Sequence, residues 1–145
     1  MSSYIMHMCV SDIVKRKLNL TDKFICGSIL PDVLKTINKD RAGTHYLEKV
    51  VIDGDIRNLP VIQRAIDSRD IQDTEIRMGY IAHLVEDLIW FNKYVPSYAK
   101  KISEDEMRYI VDENVHTLQE FRENMYMDYS NSSEYITKKC NVDMV

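Results

Sequence analysis

His83 and Asp87 stand four residues apart in GYIAHLVED, residues 79–87, within the most apolar helical stretch of the chain. On a helix that spacing puts both side chains on one face, with Cβ atoms ~5–6 Å apart. Ile76, Tyr80, Trp90 and Tyr94 fall on the same stripe, so the stripe faces a core and Asp87 points inward. An inward carboxylate without a partner is costly, because the ionised form loses its hydration. A cation shared with His83 removes that cost. A core histidine hydrogen-bonded to a neighbouring carboxylate fits the spacing equally well.

The other candidates lie upstream. His7 sits among Met and Ile residues on an early helix, Asp32 follows Pro31 in GSILPD, and His45 lies where a polar loop enters an apolar segment in AGTHYLE. Taken singly, each has an ordinary structural reading: a satisfied core histidine, a Pro-Asp turn, a capping or surface histidine. As a set with His83 and Asp87 they offer three imidazoles and two carboxylates, each flanked by apolar residues. Zinc takes N and O ligands of these types in roughly tetrahedral sites. Five ligands exceed the need of one such ion and suit two ions ~3.5–4 Å apart that share a bridging carboxylate, as in many phosphoesterases. Two such ions would acidify a water for attack on phosphorus, and Asp32 is the candidate to orient or deprotonate that water. The donor types leave Fe, Mn and Ni open beside Zn. His116 and Glu120 are a second pair at this spacing, off the apolar stripe and beside Asp112 and Glu113. They read either as a solvated helical pair or as ligands of a further ion.

The elements that must position these residues read as helices. The first is capped by Ser2 or Ser3 and runs to about Leu18, with Ile5, Met8, Cys9 and Ile13 inward. A short helix or turn over TDKFICGSI leads into the Pro31-Asp32 turn, and residues 39–43 are loop-like. VIDGDIRN carries an Asp-Gly turn. Asn58 caps a helix with Pro60 in its first turn that ends near Ser68. A central helix starts at Asp73 and runs to about Val95, before Pro96. Ser103 and Glu106 form a capping box for a last helix to about Met127, with Met107, Val111, Leu118, Phe121 and Met125 on its buried stripe. With only four glycines and three prolines, this predicts an all-α, single-domain helical bundle with a metal site between helices. Residues 1–128 form the helical metal-binding domain and residues 129–145 a polar C-terminal tail.

A chain of 145 residues, 45% hydrophobic and 29% charged, fits one domain with a real core. The net charge of −4 argues against a nucleic-acid-coating protein, while bound metal would still admit a small anionic substrate. Cys9, Cys26 and Cys140 are odd in number and not closely spaced, which favours a reducing compartment. The N-terminus reads as neither a signal peptide nor a lipobox-type leader, and no apolar run approaches the ~20 residues of a transmembrane helix. A cytoplasmic protein is expected; its oligomeric state is left open.

The order His7, Pro31-Asp32, Thr44-His45-Tyr46 and Gly79-Tyr80-x-x-His83-x-x-x-Asp87 resembles the zinc-dependent phospholipase C family, most of all its small bacterial cytoplasmic relatives. The resemblance spans residues 7 to 87 and rests on order and spacing. It implies an all-α fold in which Asp32, His45, His83 and Asp87 ligate one zinc, and His7 and Asp87 contribute to a second with Asp87 bridging. His116 and Glu120 match the family's late H-x-x-x-E pair at a third ion. The family's further histidine after the H-x-x-x-D segment has no counterpart here; Asn92 and Lys93 stand in that region. The implied activity is hydrolysis of a phosphoester, either a small one or a phospholipid head group. A non-catalytic helical protein with a vestigial metal site is the main alternative. An HD-type phosphohydrolase is a further one, although it needs a His-Asp dipeptide that this sequence lacks.

Overall fold

The computed structural model describes residues 4–140. Two helices form its centre. Helix α2, Asp22–Asn38, and helix α5, Thr74–Ile89, start side by side. Thr21, the N-cap of α2, gives its backbone N–H and hydroxyl to Glu75 in the first turn of α5, and Lys23 pairs with Asp73, the N-cap of α5. Two turns further on, Ser28 of α2 meets His83 of α5, so the helices run in the same direction. They approach to backbone contact because Gly27 and Gly79 lie at the crossing. A Cβ on Gly27 would land on the Ile76 carbonyl oxygen, and one on Gly79 on the Phe24 carbonyl oxygen. Helix α1, Tyr4–Leu18, packs across α2 and α5. Its buried residues are His7, Cys9 and Ser11, whereas Ile13, expected inward, is exposed. The expected Ser2 or Ser3 cap lies outside the described residues.

The all-α expectation is overturned. Of the described residues 65% are helical, but 16% are strand in two small antiparallel sheets, an α+β fold. After the short helix α3, Arg41–Thr44, strands β1, Leu47–Ile52, and β2, Asp55–Pro60, form a hairpin. Asp53 and Gly54 both have positive φ, 50° and 76°, as the two-residue turn that matches strand twist requires. Asn58 and Pro60 therefore belong to a strand, not to a helix start. Pro60 is tolerated because it closes β2 opposite Leu47, at the strand end. The helix that follows, α4, Ile62–Asp67, begins after Val61. The second sheet joins β3, Ala99–Lys101, β4, Glu106–Tyr109, and β5, Val115–Thr117.

The Ser103-x-x-Glu106 pattern does not start a helix. Ile102 N–H donates to the Glu106 carbonyl at 3.0 Å, and Ser103 Oγ to its carboxylate at 3.3 Å, closing the turn between β3 and β4. The capping box of the last helix, α6, Leu118–Cys140, lies further on at Thr117 and Glu120. Thr117 N–H donates to Glu120 Oε2 at 2.8 Å, and Glu120 N–H donates to Thr117 Oγ1 at 3.1 Å. Met107 is accordingly a buried strand residue, and Val111 lies 92% exposed in the turn after β4. α6 passes residues 128 and 129 without a break.

The central helix changes pitch before its expected end near Val95. α5 gives way to a π-turn at Trp90–Tyr94 and a 3₁₀ turn at Val95–Ser97. Pro96 has no N–H for the Asn92 carbonyl four residues back, and that oxygen accepts from Arg57 Nη1 of β2 at 3.2 Å instead. Two apolar clusters result. One gathers Ala65, Tyr80 and Leu84; the other gathers Val95, Ala99, Met107 and Phe121.

Gly79→Ala tests the central crossing. Overpacking at a backbone contact is expected to cost about 2–3 kcal/mol, a fall of roughly 6–12 °C in Tm. Gly54→Ala, with open space around it and only its positive φ to strain, should cost about 1 kcal/mol. Equal losses in the two variants, measured by thermal denaturation, would contradict the close approach of α2 and α5.

Candidate metal centre

Five of the seven expected ligands converge. α1 supplies His7, α2 supplies Asp32, His45 is the C-cap of α3, and α5 supplies His83 and Asp87. His7, His45, His83 and Asp87 are essentially without solvent contact, and the Asp32 side chain is 15% exposed. Asp32 does not lie in a turn. α2 continues through Pro31, whose missing N–H leaves the Gly27 carbonyl without its helical donor. The next carbonyl, that of Ser28, accepts from His83 Nδ1 at 2.6 Å.

That bond sets the tautomer of His83. Its Nδ1 carries the proton, so Nε2 presents a lone pair. His45 is arranged alike: Thr44 Oγ1 donates to the Asp40 carbonyl at 2.8 Å and is left to accept from His45 Nδ1 at 3.0 Å. Tyr80 OH donates to the Thr44 carbonyl and fixes the chain just before His45. His7 Nδ1 donates to Glu86 Oε2 at 2.8 Å. Ligating histidines commonly show this pattern, with the second ring nitrogen held by a carbonyl, a hydroxyl or a carboxylate.

The inner atoms lie at ligand spacing. His83 Nε2 and His45 Nε2 are 3.2 Å apart, His45 Nε2 and Asp32 Oδ1 3.5 Å, and His7 Nε2 and Asp87 Oδ1 3.6 Å. Asp87 Oδ2 lies 3.9 Å from both His45 Nε2 and His83 Nε2. Two nitrogens bound tetrahedrally to zinc would be about 3.3 Å apart, given Zn–N bonds of 2.0–2.1 Å. Two lone pairs facing each other at 3.2 Å repel unless a cation lies between them. The donors fall into two overlapping groups that could hold metal ions: His7, His83 and Asp87, and Asp32, His45 and His83. Asp87 turns Oδ1 toward His7 and Oδ2 toward His45 and His83.

The charges are partly compensated by protein groups. Burial pushes the Asp87 carboxyl up, but His7, His83 and Arg41 outweigh it and hold it well below the usual carboxylate range. Asp32 behaves in the same way: burial pushes it up, and His45 and Lys35 pull it further down. Lys35 Nζ is 2.7 Å from Asp32 Oδ1. Burial lowers His7, yet Asp87 and Glu86 raise it to about 9. The two carboxylates that stabilise a proton on His7 would equally stabilise a metal cation. Burial, with the neighbouring His7, pushes His83 down to about 4, so its imidazole is neutral.

His116 and Glu120 join neither group. His116 lies in β5 and Glu120 in α6, so they do not share a helix face, and His116 Nδ1 is 4.0 Å from Glu120 Oε2. Glu120 is taken by the capping box described above, and His116 packs edge-on against Tyr109. Asn92, in the region where the resemblance expects a histidine, accepts from Arg57 through Oδ1 at 2.8 Å.

Two contributors lie outside the expected ligand set. Glu86 orients His7. Arg41, in the polar stretch before His45, donates from Nη2 to Asp87 Oδ2 at 3.2 Å, and its guanidinium lies over Phe91, 5.4 Å from the ring centre. Comparison with protein-family models, curated proteins and solved structures finds no match for this chain.

His83 belongs to both donor groups, so His83→Ala is expected to abolish most metal binding, measured by elemental analysis after dialysis against Zn²⁺. Glu120→Gln should keep its metal and lose only a little thermal stability. Full metal content in His83→Ala would contradict the assignment.

Proposed function

We propose that this chain is a metal-dependent phosphoester hydrolase, with a site similar to that of the zinc-dependent phospholipase C family. The observation that carries the reading is the two-sided Asp87. One carboxylate faces His7 through one oxygen and His45 with His83 through the other, the disposition that a bridging ligand of a dinuclear site needs. Asp32, His45, His83 and Asp87 would hold one ion, and His7 with Asp87 would contribute to a second; zinc fits the donor types best. The chemistry supplied by bound ions is Lewis-acid polarisation of a phosphoryl oxygen and acidification of water toward a pKa of ~7.

The protein's own groups do the remaining work. Asp32 is the most solvent-accessible of the five donors, so solvent reaches the cluster from its side. It is ionised, and it can accept a hydrogen bond from the attacking water and so orient or deprotonate it. Lys35 beside Asp32, and Arg41 beside Asp87, are fixed positive charges that can hold phosphoryl oxygens as negative charge builds on them. A small phosphoester suits this site, and a phospholipid head group is a second candidate. Among the described residues no helix is long and apolar enough to cross a membrane. We place the activity in the cytoplasm on the odd, scattered cysteines.

One observation favours a non-catalytic reading, in which the ion is structural and the chain works by binding a partner. Three of the five donors have no solvent exposure at all, as in closed structural sites. Turnover separates the two readings. Protein loaded with Zn²⁺, Mn²⁺ or Fe²⁺ is expected to hydrolyse bis-p-nitrophenyl phosphate, and EDTA to abolish that activity. Asp32→Asn should lower kcat by about 10²-fold or more. Tightly held metal with no turnover of any phosphoester would leave the non-catalytic reading standing.

A further inference from the structure

A cavity of about 380 Å³ shares Arg41 with the donor cluster and is walled by β2, the π-turn, β3, β4 and α6. Its volume is at the lower end of the range for small-molecule sites, roughly 300–1,000 Å³. Phe91, Val95, Met107, Phe121 and Met125 give it an apolar floor. Among the described residues, four cationic side chains line it, Arg41, Arg57, Lys101 and Arg122, and one carboxylate, Asp55.

That carboxylate is already used. Asp55 Oδ1 accepts from the Lys101 backbone N–H at 2.8 Å and Oδ2 from Arg57 Nε at 2.7 Å, which ties the hairpin to the second sheet. Lys101 Nζ is itself paired with Glu104, outside the cavity lining, at 3.2 Å, and Arg57 is held by Asp55 and Asn92, so the cations the cavity turns to a ligand are Arg41 and Arg122, in a chain whose net charge is −4. Arg41 belongs to both places. Its Nη2 faces Asp87, while its Nε is buried without a hydrogen-bond partner at the cavity wall. A buried donor of that kind calls for an acceptor. A guanidinium offers planar, paired donors suited to phosphate oxygens.

We propose that this cavity binds the organic part of an anionic phosphoester, a single ring system or one short acyl chain, with the phosphoryl oxygens at Arg41. The identity of the anion rests on the hydrolase reading above; the cavity, its charge and its apolar floor do not. Its volume suits one such group and falls short of the two long chains of a membrane phospholipid, so the ester's apolar part, not a bilayer, is what it takes.

The test uses EDTA-treated protein, so that binding is read without hydrolysis. Calorimetric titration with 1-naphthyl phosphate should show affinity at least tenfold above that for inorganic phosphate or 1-naphthol, because only the first ligand fills both parts. Arg122→Glu removes a cation at the rim, and Asn58→Trp fills the rim from an exposed strand position. Each should weaken 1-naphthyl phosphate binding tenfold or more with circular dichroism and Tm unchanged. Binding no tighter than that of inorganic phosphate, or unmoved by both variants, overturns the proposal. Turnover of bis-p-nitrophenyl phosphate by metal-loaded protein is scored separately. Binding without turnover keeps the cavity and removes the hydrolase, whereas turnover with KM unchanged in both variants keeps the hydrolase and removes the cavity.

Discussion

The close crossing of α2 and α5 is the constraint on which the centre depends. Only a pair of glycines, Gly27 and Gly79, allows the two backbones to meet. The approach brings His83 Nδ1 within 2.6 Å of the Ser28 carbonyl. That bond fixes which nitrogen of His83 is protonated and aims the other at His45. A wider crossing would leave His83 free to rotate and would move Asp32 of α2 away from His83 of α5. A contact with no chemistry of its own thus sets the geometry of every donor on these two helices.

The second constraint is electrostatic. Asp87 is fully buried, and a buried carboxylate must be matched by positive charge or by donors. His7 and Arg41 provide part of that match in the protein itself, His7 by holding a proton that burial alone would remove. The cost of burying so many titratable groups together is hard to explain by stability, because apolar side chains of the same volume would serve a core at least as well. Burial of this kind is usual where a site is tuned for chemistry. The cavity that shares Arg41 with the cluster extends the pattern, since it sets Arg41 and Arg122 around an apolar floor while its lining carboxylate, Asp55, is bonded to Arg57 and to the Lys101 backbone.

The donors were legible in the sequence because the signal for them is local and their types are scarce. Four histidines in 145 residues leave few combinations, and the spacing of His83 and Asp87 is read directly on one helix face. The same rule misled at His116 and Glu120, because a strand ends and a helix begins between them. Two S/T-x-x-E patterns occur in the last third of the chain, and spacing alone does not say which of them caps α6. Ser103 and Glu106 close a β-turn, while Thr117 and Glu120 start the helix. The hairpin carried its own sign, Asp53-Gly54 flanked by β-branched residues, which the helix-favouring proline at position 60 outweighed. The partners of Arg41 and Glu86 could not be read locally, since they lie 46 and 79 positions away in the chain.

The central claim is that these imidazoles and carboxylates hold cations. Anomalous difference maps collected at the zinc edge, on crystals grown with Zn²⁺, test it most directly. The expected result is strong density bounded by Asp32, His45, His83 and Asp87, with or without a second peak between His7 and Asp87. Peaks confined to surface residues such as His116, with the cluster closed by its own ion pairs, would contradict it.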